Sequence, residues 1–288
     1  MQRRLHPLEG IVAMCALFFV LALSIGFAQA GERDTIRKIA LRSSSALVQD
    51  AETGEIVYGK NAEAVVPIAS ITKLMTAMVI LDAGLDLDEK ITLSREDAVQ
   101  MKGSRSRLRS GLSLTRGELL LLALMSSENR AAAALGQNYP GGLEAFVDAM
   151  NAKAAALQMD ESRFVEPTGL SPANVSTASD LAKMVRAAHD YPLIREYSTK
   201  SRATVRASGR ALQYGNTNNL VRSSYWEIGL SKTGYISEAG RCLVMQVRLA
   251  EKDLIVVLLD SWGKHSRIGD ANRLRKWLES GAAPGHSS

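Results

Sequence analysis

Two apolar stretches near the end of the chain, residues 243–250 and 254–259, place the strongest constraint on its fold. They are rich in Leu, Val and Ile, and only three polar residues separate them, which predicts an antiparallel hairpin with both faces buried. Residues 44–58 contain a second pair of strand-forming runs around a turn at 52–54. With a further short strand at 227–235, these stretches predict one antiparallel sheet whose strands come from both ends of the chain.

The part of the chain between these strands has the patterns of helices. Apolar residues recur at helical spacing, or occupy nearly every side, in 71–81, 117–125, 142–159, 179–189 and 270–279. Ser179 and Asp180 are the expected cap of the fourth of these helices. We therefore predict an α/β fold, in which helices flank the sheet and a mostly helical middle subdomain spans roughly 82–190. Residues 82–116 are polar and read as irregular.

The first thirty residues have the pattern of a secretory signal. A basic start with Arg3 and Arg4 precedes an apolar run at 11–27, and small residues at 28 and 30 follow it. This order predicts a cleaved signal peptide at 1–30 and a mature domain at 31–288, with an uncleaved anchor as the alternative. The mature chain then has one cysteine, Cys242, and no intramolecular disulfide is possible.

Charge and composition exclude several classes of function. The formal net charge of +5 is compatible with an acidic polymer as substrate, but it is far from the density of a nucleic-acid-binding protein. No later segment is long and apolar enough for a membrane span, so we expect no integral anchor after signal cleavage. The histidines show no metal-ligand spacing, and we expect neither metal nor cofactor. Basic residues at 102–109 form either a solvated loop or a landing site for a carboxylate-bearing polymer.

Ser70 and Lys73 form the first motif with catalytic potential. Ser70 follows Pro67 at the predicted start of a helix, where free N–H groups and the helix dipole favour negative charge. Lys73 lies one turn further on the same face, so its amine can reach the Ser70 hydroxyl and activate it without histidine. A helix-capping serine and a surface lysine would give the same pattern.

Two further motifs are Ser127-x-Asn129 and Lys232-Thr233-Gly234. By itself, Ser127-x-Asn129 is typical of a helix cap and a turn residue. Lys232-Thr233-Gly234 by itself is typical of an exposed strand end. Together with Ser70-x-x-Lys73, they stand at a helix start, at a junction between helices and on a strand of the sheet. This trio in this order is the one found in penicillin-binding proteins and class A β-lactamases.

The chain resembles the penicillin-binding, active-site serine D,D-peptidases, and in particular the small D-alanyl-D-alanine endopeptidases known as type-seven penicillin-binding proteins. The resemblance covers nearly all of the mature chain and is strongest at 67–77, 121–131, 163–170, 216–218 and 232–235. It implies a fold like that of β-lactamases and transpeptidases. It also implies peptidoglycan stem peptides as substrate, β-lactams as covalent inhibitors, and a periplasmic location.

The resemblance also implies a role for each motif residue. Ser70 would be the nucleophile, Lys73 its general base, kept partly neutral by burial near other cations, and Ser127 the donor of a proton to the leaving amine. Hydrogen bonds to substrate would come from Asn129. Lys232 and Thr233 would hold the carboxylate on the leaving side, Gly234 would let substrate lie along the strand, and Tyr235 would share the oxyanion hole with Ser70 through their N–H groups.

Three alternatives stay open beside the endopeptidase. A class A-like β-lactamase would need an asparagine four residues after Glu166, where this chain has Leu170. A non-catalytic wall-binding protein could keep the fold and use the basic loop. A D-alanyl-D-alanine carboxypeptidase is the alternative within the family. Its larger members carry an additional β-rich domain and a membrane helix, for which we expect no room after the last predicted helix.

Overall fold

The computed structural model describes residues 39–95, 106–207, 209–249 and 251–280. Its strands are β1 (Ser43–Asp50), β2 (Ile56–Lys60), β3 (Val66–Pro67), β4 (Lys90–Thr92), β5 (Ser113–Thr115), β6 (Val175–Ser176), β7 (Arg202–Ala207), β8 (Arg210–Gly215), β9 (Glu227–Ile236), β10 (Gly240–Leu249) and β11 (Lys252–Ser261). The main sheet has the order β2-β1-β11-β10-β9, with all neighbours antiparallel. The predicted α/β fold, with a sheet built from both ends of the chain, is confirmed.

Helices cover both faces of this sheet. They are α1 (Thr72–Asp82), α2 (Arg116–Met125), α3 (Asn129–Gln137), α4 (Gly142–Ala156), α5 (Ala178–His189), α6 (Pro192–Thr199) and α7 (Ser266–Glu279). Val244 of β10 and Val257 of β11 pair with each other and belong to the core that contains α1 and α5. Leu243 belongs to the opposite core, together with Leu274 of α7. Since successive strand residues point to opposite faces, double coverage explains why these strands are apolar without alternation.

Helix α1 lies in the centre of the larger core. Every residue from Thr72 to Ile80 is buried, including the lysine at 73. The predicted helix at 71–81 differs from it by one residue at each end. A helix buried on all sides is held by its neighbours, and it therefore offers a rigid base for side chains that must keep a fixed geometry.

Two predicted helix starts are wrong by a few residues. Helix α5 begins at Ala178, and its cap is Thr177, whose side chain accepts a hydrogen bond from the Asp180 N–H. Helix α7 begins at Ser266 instead of 270. Asp270 is fully buried, and its carboxylate accepts hydrogen bonds from the N–H groups of Arg42 and Ser43 in the N-terminal part of the chain. A polar residue that binds a distant strand is indistinguishable, in sequence, from a polar residue that starts a helix.

One helix and two pairs of short strands are among the elements that no pattern described above predicts. The helix is α6, with Pro192 in its first turn. The polar strands β7 and β8 form a separate two-stranded sheet, and β4 pairs with β5 within the segment read as irregular, where Leu108 and Leu114 are buried. Short polar strands show little periodicity, because both of their faces are partly solvated.

Some predictions concern residues outside the described ranges. They are the signal peptide at 1–30, the basic residues Lys102 and Arg105, and the tail at 281–288. In the ranges that the structure does describe, none of the helices has both the length and the apolar character that a membrane crossing requires.

Candidate active site

Ser70 lies in a short 3₁₀ turn (Ala69–Ile71) that leads directly into α1. The pairing of β3 with β6 holds the entry to this turn. Ala69 has a positive φ of 47°, a conformation that costs a non-glycine residue about 1 kcal/mol or more. The predicted position of Ser70 at a helix start is confirmed, and the α-helix itself begins two residues later at Thr72.

Two glycines pack against the turn that carries Ser70. A Cβ added at Gly169 would lie 1.9 Å from the carbonyl oxygen of Ala69. One added at Gly234 would lie 2.9 Å from the carbonyl oxygen of Ile68 and 3.1 Å from the Ser70 nitrogen. The resemblance assigns the space at Gly234 to substrate, whereas in the structure the protein's own turn fills it. Both glycines therefore allow backbone segments to approach the nucleophile closely.

The Lys73 amine lies at the centre of the site. Its Nζ donates hydrogen bonds to Ser70 Oγ at 2.9 Å, to Asn129 Oδ1 at 2.6 Å and to the carbonyl oxygen of Thr168 at 2.5 Å. The residue is fully buried, and this burial lowers the pKa of Lys73 to about 7, while the carboxylates of Glu166 and Glu128 oppose the shift. The predicted partial neutrality is therefore explained mainly by desolvation, and the nearby acids oppose it.

The Lys232 amine joins the other two motifs from the opposite wall. It comes from β9, is buried, and donates hydrogen bonds to Ser127 Oγ at 2.8 Å and to the carbonyl oxygen of Thr233 at 2.9 Å. Burial first, then the charges of Lys73 and Arg267, hold the pKa of Lys232 well below its usual range. Ser127, at the junction of α2 and α3, has a positive φ of 58°, a sparsely populated conformation that is typical of functional sites.

These contacts bring all three sequence motifs together. Lys73 links the Ser70 hydroxyl to Asn129 of the second motif, and Lys232 of the third motif reaches Ser127. The nucleophile, two amines and a second hydroxyl thus lie together between α1, the α2–α3 junction and the edge strand β9. Such a set can transfer protons to and from a bound carbonyl compound at two points.

The rest of β9 continues the wall of the site. The hydroxyl groups of Thr233 and Thr217 lie 2.6 Å apart, and the Asn218 side chain donates to Ser231 Oγ at 2.8 Å. The loop at 216–218, which the resemblance highlights without a role, therefore braces the strand. Tyr235 lies one residue beyond Gly234, and 56% of its side chain is exposed.

Glu166 organises the loop that Lys73 contacts. Its carboxylate accepts hydrogen bonds from the N–H groups of Thr168 and Gly169, both at 2.6 Å, and from the Asn174 side chain at 3.0 Å. The loop in turn supplies the Thr168 carbonyl to Lys73. Residues 163–170 appear in the resemblance as a matched run, but the sequence alone does not show that they bind the catalytic lysine.

Two arginines near the site were not singled out from the sequence. Arg267 Nη1 donates to the carbonyl oxygens of Gly234 at 2.9 Å and Cys242 at 3.3 Å. Arg130 donates to the carbonyl oxygen of Leu108 at 2.9 Å and so holds part of the predicted basic loop. In that loop, the guanidinium of Arg107 lies 4.0 Å from the ring centroid of a tyrosine on β8. The described part of the loop therefore packs on the protein at two points.

Comparison with known proteins agrees with this geometry. Residues 32–263 match the family model of a peptidase family described as D-alanyl-D-alanine carboxypeptidase. The D-alanyl-D-alanine endopeptidase of Pseudomonas aeruginosa is 53% identical over 84% of this chain and 78% of its own. That of Escherichia coli is 46% identical over 94% of this chain and 89% of its own. A D-alanyl-D-alanine carboxypeptidase of Bacillus subtilis is 30% identical over 80% and 60%.

Solved structures give the same result for the fold. The D,D-transpeptidase of Streptomyces K15 superposes with a TM-score of 0.78 at 28% identity, over 84% of this chain and 99% of that one. The family match covers most of the chain, and hydrogen bonds join the serine, the amines and the other motif residues in one site. The chain is therefore a serine D,D-peptidase that belongs to the D-alanyl-D-alanine carboxypeptidase family.

Proposed function

We propose that this peptidase is an endopeptidase that opens D-alanyl-diaminopimelate cross-links of peptidoglycan through an acyl-enzyme on Ser70. The observation that carries the proposal is the 2.9 Å contact between the Ser70 hydroxyl and the buried Lys73 amine, beside a strand that can bind a peptide. The two relatives with the higher identities bear the endopeptidase name, which favours this subtype over a carboxypeptidase. β-Lactams, which bind covalently to D,D-peptidases of this fold, would acylate the same serine.

In the first step, Ser70 Oγ bonds to the carbonyl carbon of the D-alanine on the acyl side. The neutral amine of Lys73 accepts the hydroxyl proton. The N–H groups of Ser70 and Tyr235 donate to the oxygen that becomes negative, where they stabilise charge that exists only in the transition state. Asn129 orients the Lys73 amine through Oδ1 and hydrogen-bonds the substrate backbone.

In the second step, the leaving amine is protonated and departs. Ser127 passes a proton to it, and Lys232 supports this hydroxyl at 2.8 Å. The carboxylate on the leaving side binds to Thr233 and to the Lys232 amine, and a bound carboxylate favours the charged form of that amine. The peptide lies along the outer edge of β9 as an additional strand and passes Gly234. Water then releases the acyl group from the serine.

Location and domain limits are part of the proposal. Residues 1–30 would be removed during export, and residues 31–288 would act in the periplasm without an integral membrane anchor. The basic start, apolar run and small-residue site at 28–30 support this. Amino-terminal sequencing of the exported protein would show the first mature residue near position 31.

The preferred substrate is tested by digesting purified cross-linked muropeptide dimers and monomeric pentapeptides side by side. We expect dimers to be cleaved with the higher kcat/KM, because the site must accept a whole second stem as leaving group. A Ser70→Ala variant should cleave neither substrate, since Ser70 is the site hydroxyl that Lys73 contacts among the residues that the structure describes. Faster release of terminal D-alanine from pentapeptides would instead identify a carboxypeptidase, and wall cleavage by Ser70→Ala would identify a non-catalytic role for the site.

A penicillin adduct is expected to last for minutes or longer. Fast hydrolysis in class A β-lactamases requires a glutamate that activates water, and here the Glu166 carboxylate is occupied by the N–H groups of Thr168 and Gly169. Labelled penicillin should therefore remain on the protein through denaturing electrophoresis, and Ser70→Ala should take up no label. Rapid turnover of a chromogenic β-lactam would overturn this expectation and identify a β-lactamase.

A further inference from the structure

The half-buried Arg241 of β10 and the exposed Tyr235 form a cation–aromatic pair at the end of β9, the strand that carries the third motif. Tyr235 pairs across the sheet with Arg241 of β10, so their side chains stand on the same face. The Arg241 guanidinium carbon lies 4.5 Å from the centroid of the Tyr235 ring. Stacking on a ring restricts a guanidinium but leaves the N–H groups of its edge available for a carboxylate.

Positive charge at this edge is not compensated by the protein. Within the described residues, neither Arg241 nor Arg267 forms an ion pair, although Glu238 lies in the adjoining turn. Burial, and then the nearby charge of Arg241, lower the pKa of Arg267 to about 10. Arg267 already donates hydrogen bonds to the carbonyl groups of Gly234 and Cys242. Of the two arginines, Arg241 is therefore the better placed to bind a ligand.

The direction of a bound peptide follows from the proposed function, on which this inference rests. The leaving-side carboxylate binds at Lys232 and Thr233, and the reacting carbonyl lies beside Ser70. A peptide in extended conformation advances about 3.3 Å per residue. The residues that precede the reacting D-alanine therefore pass Tyr235 and reach the end of β9, which lies on the acyl side of the site.

We propose that Arg241, held on the ring of Tyr235, binds a carboxylate of the acyl-donor stem within two residues of the D-alanine that reacts. The ligand class is an anionic peptide, because the residues before D-alanine in a diaminopimelate stem carry free carboxylates. A planar guanidinium binds a carboxylate through two parallel hydrogen bonds. Arg241 is thus a specificity residue for the donor, separate from the residues that bind the leaving side.

The test compares Arg241→Gln with a matched control, Arg248→Gln, at the other end of β10. Arg248 is half exposed and pairs with Asp253 at 3.6 Å. Substrates are a native muropeptide dimer and the same dimer with the free carboxylates of its donor stem amidated. We expect Arg241→Gln to lower kcat/KM for the native dimer about tenfold, mainly through KM, as for loss of one charge-assisted contact. Arg248→Gln should behave as wild type.

Two comparisons separate this role from a structural one. Amidation should cost the wild type the same factor of about ten and cost Arg241→Gln nothing more, because both changes remove one contact. Acylation by benzylpenicillin, whose phenylacetamido side chain carries no carboxylate, should stay within about twofold of wild type. The proposal would be overturned if Arg241→Gln lowered kcat/KM for both dimers and the acylation rate with penicillin by the same factor. It would also be overturned if kcat/KM for the native dimer did not change.

Failure of the endopeptidase assignment would give a different result. If the wild type cleaves pentapeptides and not dimers, the same comparison is made on native and amidated pentapeptide, which present the same donor stem. A kcat/KM that is about tenfold lower in Arg241→Gln for the native pentapeptide, but not for the amidated one, would then support the donor subsite in a carboxypeptidase. The subsite would be rejected if Arg241→Gln did not distinguish the two pentapeptides in this way.

Discussion

Replacement of Lys73 by methionine is expected to lower both dimer cleavage and acylation by penicillin by about 10²–10⁴-fold, the usual contribution of a general base. Methionine fills a similar volume but cannot accept the proton of the Ser70 hydroxyl, which the amine contacts at 2.9 Å. Because the charged form of this amine is penalised by complete burial, we expect the variant to stay folded, as near-UV circular dichroism would show. The acylation rate is measured with fluorescent penicillin.

The pH profile gives a second readout of the same role. The pKa of Lys73 is lowered to about 7, so the amine is protonated below this value and cannot act as a base. The acylation rate of the wild type should therefore fall about tenfold per pH unit below about 7 and level off above it. The residual rate of Lys73→Met should lack this limb. The role of Lys73 as general base would be wrong if Lys73→Met kept more than a tenth of the wild-type acylation rate and showed the same decrease at acid pH.

A surface lysine supplies the control for this substitution. Lys183 of α5 is 44% exposed and pairs with Asp180 at 2.8 Å. The Lys183 amine contacts Asp180 and the Gln158 carbonyl, which lie outside the active site, so Lys183→Met should change neither the acylation rate nor its pH dependence.

Replacement of Gly169 by alanine is expected to damage both stability and activity. Its Cβ would lie 1.9 Å from the Ala69 carbonyl oxygen and 2.8 Å from the Ser70 nitrogen, and these are backbone atoms that cannot rotate away. We expect the free energy of unfolding to fall by about 3 kcal/mol or more, as for severe overpacking with backbone strain. A displacement of the nucleophile by about 1 Å would lower acylation by about 10²-fold. Urea denaturation and penicillin labelling measure the two effects.

Gly84 is the matched control for Gly169. It also has a positive φ, 61° against 79°, but a Cβ at Gly84 would meet no atom within 4 Å. The free energy of unfolding of Gly84→Ala should therefore fall only by the cost of the left-handed conformation, about 1–2 kcal/mol. Its acylation rate should equal that of the wild type. Similar losses in the two variants would show that backbone conformation, and not contact with the Ser70 turn, explains the requirement for glycine at 169.

Local spacing explains what could be predicted of the site. Ser70 and Lys73 are one helical turn apart, and this separation alone brings their side chains onto one face. The apolar runs at 243–250 and 254–259 likewise predict the hairpin of β10 and β11, because a strand buried on both faces needs few polar residues. In both cases the information lies within one short stretch of the chain, 17 residues long for the hairpin at 243–259.

The elements that were misplaced or missed depend on distant partners. The predicted start of α7 is misplaced because Asp270 lies inside the helix. The Asp270 carboxylate binds the N–H groups of Arg42 and Ser43, more than two hundred residues away. The cap of α5 is Thr177, one of several polar residues in a row that could have served. The strands β7 and β8 carry too few apolar residues for a clear period of two.

The fold class, the three motifs and their order can be predicted from the residues alone, because helical and strand periods and motif spacing are local properties. The protonation state of the catalytic amine depends on the packing of distant segments. Lys73 has a pKa of about 7 because neighbouring segments remove it from water, among them the loop that supplies the Thr168 carbonyl from 95 positions away in the chain. Only the tertiary structure also placed Arg241 on Tyr235, since two residues on different strands meet through sheet register. Desolvation and register are set by packing, and no short stretch of sequence contains them.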